Sequence, residues 1–333
     1  ADRQHPADAV LRTALREQRG LSREASRMTA RAVFAYFRWL GWLNRSHTLA
    51  DQLRQALLWA DRFAHDPASF PEEELREKAW PRWVGDHMEI SVQLLRALQH
   101  DPKLWLRARP GQGHRLASKL GDCAAFGEGR WADALRYNGP TDLFRTAEFH
   151  AGEFEMQDIC SQAVGLLCGP QPGEVWWDAC AGEGGKTLHL AALMQNKGLV
   201  WASDRSAWRL GRLKRRAARA RLFNYRLAWW DGGVTFPTKT RFDGVLLDAP
   251  CTGIGNWHRN PHARWTARPE DVRELAAIQQ GLLAHVAGSV KPGGKLVYSV
   301  CTLTRAETTG IAEAFGLAFP GFEPLPLASP FGD

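Results

Sequence analysis

Glu174-Val175-Trp176-Trp177-Asp178-Ala179-Cys180-Ala181-Gly182-Glu183-Gly184-Gly185-Lys186-Thr187 decides how this chain folds. The apolar run at 174–177 reads as a buried parallel strand, and residues 185–195 read as the helix that follows it. A glycine-rich turn between strand and helix has a physical use. Gly182, Gly184 and Gly185 allow close backbone approach, and the helix N-terminus favours an anionic group. Further strands at 199–203, 226–230, 244–247 and 295–300 alternate with helices at 207–220 and 270–290. That alternation predicts an α/β fold with a doubly wound parallel sheet, whose ligands sit beyond the carboxyl ends of the strands.

Upstream the character changes. Val33, Phe34, Phe37, Leu40 and Gly41 form the stripe of an amphipathic helix with Ser22 as its cap. Leu53, Leu57 and Ala60 repeat the pattern, and another helix is expected at 87–98. From 101 to 148, strands at 103–107 and 134–137 flank a short helix at 114–120, the signature of a small α+β module. We therefore expect an all-helical part at 1–100, the α+β module at 101–148 and the doubly wound domain at 149–333. The Pro- and Gly-containing tail at 320–333 is too short to complete a seven-stranded sheet, so a C-terminal truncation is expected.

Composition narrows the partners. A net charge of +7 and a pI near 9.3 favour an anionic partner, nucleic acid first. Arg205, Arg209, Arg212, Lys214, Arg215, Arg216, Arg219, Arg221 and Arg226 fall between Asp204 and Asp231 with no acid among them. A solvated helix face explains such a run equally well. No stretch reaches the roughly 20 apolar residues of a membrane span, and residues 1–5 lack a signal-peptide core. A cytoplasmic protein is therefore expected ahead of one with an Arg-rich transit peptide, whose basic run Asp8, Glu17 and Glu24 would interrupt; a monomer is expected. The six cysteines include no Cys-x-x-Cys pair, and Pro261 separates His258 from His262, so no metal site is expected. Most of the 15 Trp residues are expected in the core.

Two later stretches carry chemistry. Asp248-Ala249-Pro250-Cys251 follows the strand at 244–247, and Tyr298-Ser299-Val300-Cys301-Thr302 closes the strand at 295–300. Two thiols at strand ends, one beside a carboxylate, suggest covalent chemistry on an electrophilic ring. Carbon 5 of cytosine is a poor nucleophile. A thiolate added at carbon 6 makes the ring enamine-like and able to attack an activated methyl group. A free thiol has a pKa of about 8.5, so the attacking cysteine needs an activating environment. Asp248 is placed to stabilise charge on the ring, and a second proton-handling group must serve elimination. The residues themselves leave open which thiol attacks. Cys180 is read as a packing residue, and Cys123, Cys160 and Cys168 as structural.

For the turn at 178–187, S-adenosylmethionine is the best-fitting ligand. Its carboxylate can meet the helix N-terminus and Lys186, Asp204 lies 19 residues after Gly185 to take ribose hydroxyls, and Asp231 can reach an adenine edge. A Walker A motif would need glycine where Cys180 stands, and Gly182-Glu183-Gly184-Gly185 does not fit the dinucleotide pattern.

These motifs resemble the Sun/NOP family of RNA 5-methylcytosine methyltransferases, especially its bacterial ribosomal RNA small-subunit branch. The resemblance is strongest over residues 149–315. It takes in Phe154-Glu155-Met156-Gln157-Asp158, the cofactor turn, residues 248–265 (DAPCTGIGNWHRNPHARW), Gln279-Gln280-Gly281-Leu282-Leu283 and residues 291–304 (KPGGKLVYSVCTLT). Through Tyr36-Phe37-Arg38-Trp39, the N-terminal helices resemble the NusB-like domain of that branch. The resemblance implies a class I, Rossmann-like methyltransferase fold. It implies Cys301 as nucleophile, Cys251 as the residue assisting elimination and release, Asp248 at the base, and Lys186 in the same catalytic group. It implies cofactor contacts from the turn (Asp178, Ala179, Cys180, Ala181, Gly182, Glu183, Gly184, Gly185, Lys186) and from Asp204, Arg209, Asp231 and Asp248. RNA, chiefly ribosomal, is the expected partner, with Arg212, Arg216, Arg259 and Arg264 as RNA contacts. Gly182-Glu183 stands where the family has Ala-Pro, placing an extra carboxylate beside the cofactor, and Ala306-Glu307-Thr308 stands where it often has Glu-Glu-Asn. The rival readings are a catalytically silent RNA-binding or assembly factor on the same fold, a methyltransferase for tRNA or DNA cytosine, and one of different atom specificity.

Overall fold

The computed structural model describes residues 2, 4–18, 20–235, 238–326 and 331. By contact the chain divides into two units, one of Ala1–Pro102, Cys251–Ala277 and Cys301–Ala312, the other of Lys103–Pro250, Ile278–Val300 and Glu313–Asp333. The loops carrying Cys251 and Cys301 thus belong to the unit built on the N-terminal helices.

That first unit contains α1 (Ala7–Glu17), α2 (Arg23–Arg38), α3 (Leu49–His65), α4 (Glu72–Lys78) and α5 (Val92–Gln99). Ser22 caps α2 as expected, its hydroxyl accepting the Ala25 N–H at 3.1 Å. The last helix starts later than the 87–98 reading. Arg82–Asp86 forms a separate 3-10 turn, and Ser91 caps α5 by accepting the Leu94 N–H at 3.1 Å. Trp39, Phe63, Phe70, Leu75 and Leu95 form the core with Ile254 and Trp257 from the Cys251–Ala277 segment, whereas of the expected stripe Val33, Phe34, Phe37 and Leu40 are half-buried and Gly41 is exposed. Trp39 lies edge-on to Trp42 at 4.9 Å and to Phe63 at 5.5 Å, the geometry ring quadrupoles favour.

The second unit opens with β1 (Leu104–Ala108), α6 (Gly113–Leu120), β2 (Cys123–Ala125), β3 (Ala134–Tyr137), α7 (Ala147–His150) and β4 (Phe154–Met156), whose strands form an antiparallel sheet in the order β2-β3-β1-β4. It continues with α8 (Ile159–Cys168), β5 (Val175–Asp178), α9 (Gly185–Leu193), β6 (Leu199–Asp204), α10 (Ala207–Ala220), β7 (Tyr225–Trp229) and β8 (Phe242–Asp248). After α11 (Ala263–Thr266) in the first unit come α12 (Pro269–Ala287), which has residues in both, β9 (Val290–Ser299) and α13 (Thr309–Ala318).

Strands β5 to β9 form a wholly parallel sheet in the order β7-β6-β5-β8-β9. The chain winds outward from β5 through β6 to β7, then returns to the other side of β5 with β8 and β9. Because crossovers are right-handed, that reversal places helices on both faces and opens a crevice between the ends of β5 and β8. Trp176, Val200, Ala202 and Leu246 share one face, packed with Leu188 and Leu190 of α9 and Leu213 and Ala217 of α10, while Trp177, Val245 and Leu247 point to the other. Within the described residues β9 is the last strand. Of the tail read as too short to complete the sheet, residues 327–330, 332 and 333 lie outside the described residues. No described helix is long and apolar enough to cross a membrane.

Candidate active site

In the second unit, the turn after β5 is sewn to its neighbours by its own backbone. Ala179 N–H donates to Leu246 O at 2.9 Å, Ala181 N–H to Ser203 O at 2.8 Å, and Gly182 N–H to Asp204 Oδ2 at 2.9 Å. Gly184 has φ +86°, and a Cβ there would lie 2.3 Å from Leu213 Cγ of α10, so only glycine lets the turn close against that helix. Gly182 has φ +56°, and its missing Cβ would meet nothing within 4 Å. The turn therefore opens onto space beside the N-terminus of α9, where the first N–H groups have no carbonyl of their own helix to bond.

Charged groups gather at the same strand ends. Lys186 Nζ donates to Asp248 Oδ2 at 2.6 Å, and Ser299 Oγ donates to Asp248 Oδ1 at 3.0 Å. Asp204 is buried and also accepts the Ser206 N–H at 2.8 Å. Asp231 is exposed and accepts the Gly233 N–H at 2.8 Å, and Arg209 is exposed in the first turn of α10. This donor set fits S-adenosylmethionine. The α9 N-terminus and Lys186 suit a carboxylate, Asp204 keeps acceptor capacity for ribose hydroxyls, and the open turn at Gly182 gives room.

Burial pushes the Asp178 carboxyl up to about 7 from 3.8, even though Thr187 Oγ1 donates to its Oδ2 at 2.6 Å. A folded-state value above the unfolded one means that the native state holds a proton the unfolded chain releases. Stability therefore falls as pH rises from about 4 to about 7, and the cost is fully present above 7. Asp178→Asn keeps an acceptor for Thr187 and removes the titration. It is expected to raise stability at pH 8 by about 2–4 kcal/mol, with the gain shrinking toward pH 4. Urea midpoints across that range test this, and a gain independent of pH would refute it.

Neighbouring residues that sequence reasoning gave no role support the turn. Glu155 on β4 is buried and accepts from Arg216 at 2.9 and 3.1 Å and from Arg219. Arg216 also donates to Glu183 O at 2.9 Å. Gln157 accepts from Arg107 at 2.6 Å and donates to Gly185 O at 3.2 Å. Arg216, expected to contact RNA, directs Nε, Nη1 and Nη2 to β4 and the turn and keeps 21% of its side chain exposed. Glu183, the extra carboxylate beside the cofactor site, pairs with Arg212 at 2.9 Å. Burial raises the Cys180 thiol to about 12, which suits a packing residue better than a nucleophile.

In the first unit Cys251 and Cys301 meet, Sγ to Sγ at 3.3 Å, and the Cys301 N–H donates to Cys251 Sγ at 3.3 Å. Cys301 is exposed and Cys251 half-buried. The Cys301 sulfur, followed by burial, drives the Cys251 thiol well above its usual range, outweighing the stabilising N–H. Two sulfurs this close do not both ionise, so a proton stays on Cys251 when Cys301 carries the charge.

A residue the motif reading passed over fixes this pair. Glu307 is fully buried and accepts the Thr252 N–H at 2.9 Å, Thr252 Oγ1 at 2.6 Å, Thr304 Oγ1 at 2.9 Å and Thr302 Oγ1 at 3.3 Å. One carboxylate thus gathers the residue after Cys251 and the residues after Cys301, and Gly255 N–H adds a bond to Cys301 O at 3.0 Å. Glu307→Ala strands these donors. It is expected to cost about 2–4 kcal/mol and to lower turnover far more than cofactor affinity, as urea unfolding and kcat would show. In the second unit, Tyr298 Oη donates to Gln279 Oε1 and Gln279 Nε2 donates to Pro250 O, both at 2.9 Å, fixing the residue before Cys251.

The two arginines after Cys251 differ in burial. Arg259 is half-buried, its N–H bonded to Asn256 O at 2.9 Å. Arg264 is 0% exposed and donates to Ala79 O at 2.5 Å, Leu98 O at 2.8 Å and Arg38 O at 3.4 Å. These are carbonyls at the C-terminal ends of α4, α5 and α2. The expected RNA contact at Arg264 is therefore corrected: a fully buried guanidinium cannot reach a phosphate.

The strand order, the glycine-rich turn after β5 and the acid closing β6 define a class I, Rossmann-like methyltransferase fold. Residues 165–318 match the family described as 16S rRNA methyltransferase RsmB/F, and this part of the chain belongs to that family. A probable ribosomal RNA small subunit methyltransferase B of Bacillus subtilis is 40% identical over 264 residues, covering 77% of this chain and 58% of the relative. Its namesake in Synechocystis is 35% identical over 258 residues, covering 74% and 56%. The chain thus spans little more than half the length of these relatives. Among solved structures, the crystal structure of PH0851 superposes with a TM-score of 0.76 at 23% identity, covering 96% of this chain and 87% of that one. A methyltransferase homologue from Pyrococcus horikoshii gives 0.58 at 27% identity, covering 72% and 80%.

Proposed function

We propose that this protein transfers a methyl group from S-adenosylmethionine to carbon 5 of a cytosine in RNA, with ribosomal RNA of the small subunit as its substrate. The observation that carries the reading is the pair of thiols 3.3 Å apart, each a few residues beyond the end of a parallel strand. Its support from relatives is the RsmB/F match and the names of the 40% and 35% identical proteins.

When bound, the cofactor supplies an electrophilic methyl on a sulfonium. Asp178, the turn at 179–186, Asp204, Arg209, Asp231 and Asp248 are the residues assigned to hold it. In the reaction, Cys301 as thiolate adds to carbon 6 of an unstacked cytosine, forming an S–C6 bond and pushing the electron pair toward carbon 5. Asp248, held by Lys186 and Ser299, steadies charge at ring nitrogen 3 and the exocyclic amine. Carbon 5 takes the methyl group and then loses its proton, and the S–C6 bond breaks to return the thiolate. Cys251, kept protonated beside Cys301, handles protons during that release.

The test is to incubate the protein with methyl-labelled S-adenosylmethionine and unmodified small-subunit ribosomal RNA, then digest and identify the labelled nucleoside. Label in 5-methylcytidine is the expected result. Label in another nucleoside would overturn the two-thiol mechanism, and no label despite binding of cofactor and RNA would point to a silent RNA-binding factor.

A further inference from the structure

Trp208 and Trp229 stand apart from the other tryptophans of the chain. Ten of the 15 are buried, whereas these two are 62% and 61% exposed. A ring of that size left in water at two neighbouring places needs a use. Each is also held in place. The Arg212 guanidinium lies 5.2 Å from the Trp208 ring centre, and Trp229 Nε1 donates to Arg205 O at 3.1 Å. A tethered ring with an open face has already lost the freedom that stacking would otherwise remove.

Their position is functional rather than peripheral. Trp229 is the last residue of β7, in register with Asp204 at the end of β6. Trp208 is in the first turn of α10, directly after β6. Both therefore lie at the carboxyl ends of the parallel strands, the side on which the turn at 178–187 opens. Arg205 and Arg209 are exposed on either side of Trp208 in sequence, and no acid occurs from 205 to 230. Aromatic faces set among guanidinium groups suit a strand whose bases are unpaired and whose backbone is anionic. A duplex hides its base faces, and an acidic protein surface gains nothing from two open indoles.

We infer that Trp208 and Trp229, with Arg205 and Arg209, form a stacking platform for unpaired bases of single-stranded RNA flanking the target nucleotide. This rests on the RNA reading above and names the surface that would hold the strand. Arg205 and Arg209 supply phosphate contacts, and the indoles supply sequence-tolerant stacking.

The experiment measures binding of a fluorescently labelled single-stranded oligoribonucleotide to the full chain by anisotropy at several salt concentrations. A duplex of the same sequence and a sulfated polysaccharide without bases serve as comparison probes. Trp208→Ala with Trp229→Ala is expected to weaken single-strand binding about 10- to 50-fold while leaving the salt slope and polysaccharide binding unchanged. The Phe pair should recover most of the loss, because it keeps a stacking face. Arg205→Ala should instead flatten the salt slope. Equal single-strand binding by the double alanine variant, in a protein that still methylates RNA, would remove the platform and leave the function standing. Equal losses toward RNA and polysaccharide would assign the patch to plain charge. A wild-type chain that neither binds nor methylates RNA would take both readings down together.

Discussion

Cys301→Ala is expected to abolish methyl transfer, a fall of about 10⁴-fold or more, while affinities for RNA and cofactor change little. The reason lies in the sulfur pair. With Sγ atoms 3.3 Å apart and the Cys251 thiol raised by its neighbour and by burial, Cys251 keeps its proton and the exposed Cys301 is the sulfur assigned the attack. Cys251→Ala should give a different defect. Attack still proceeds, release slows, and a protein–RNA adduct survives denaturation. Single-turnover assays with labelled cofactor, followed by denaturing gels, separate the two. Methylation by Cys301→Ala together with inactivity of Cys251→Ala would exchange the roles, giving the order used by DNA cytosine methyltransferases.

The second large effect falls on stability. Arg264→Ala is expected to cost about 3–5 kcal/mol, enough to unfold much of the helical unit at moderate urea. The guanidinium is wholly buried, lies among no carboxylates in its hydrogen bonding, and donates to carbonyls closing three helices. Those carbonyls carry the negative ends of the helix dipoles and have no partner further along their own helices. Arg264→Lys should recover little, because an ammonium cannot span the three directions a planar fork reaches. The salt dependence of RNA binding should be the same in any folded Arg264 variant. A urea midpoint within error of wild type for Arg264→Ala would refute the assignment.

Much of the sheet was legible because burial on both faces writes itself as continuous apolar runs. Trp176-Trp177, Val200-Trp201-Ala202 and Val245-Leu246-Leu247 each became a central strand. The turn at 178–187 and the two cysteines were legible for a related reason: their motifs are local, and strand ends fix where local motifs go. Three-residue strands such as β2 and β4 were not, since three residues cannot display a period. Arg264 was misread because its environment is assembled from Ala79, Leu98 and Arg38, residues more than 160 positions away. Glu307 went unassigned for the same cause, since Thr252 is 55 residues distant. Exposure of Trp208 and Trp229 was invisible too, because a stripe pattern says which side of a helix is apolar, not whether anything covers it.

The Glu307 carboxylate has a consequence for how this site can change. Because the same two oxygens hold Thr252, next to one sulfur, and Thr302 and Thr304, beyond the other, the thiols move as one piece. No substitution at that anchor can quicken attack while leaving departure alone. On the proposed mechanism, entry into the covalent state and exit from it share a mechanical mount, so an adjustment to either half of the cycle is transmitted to the other.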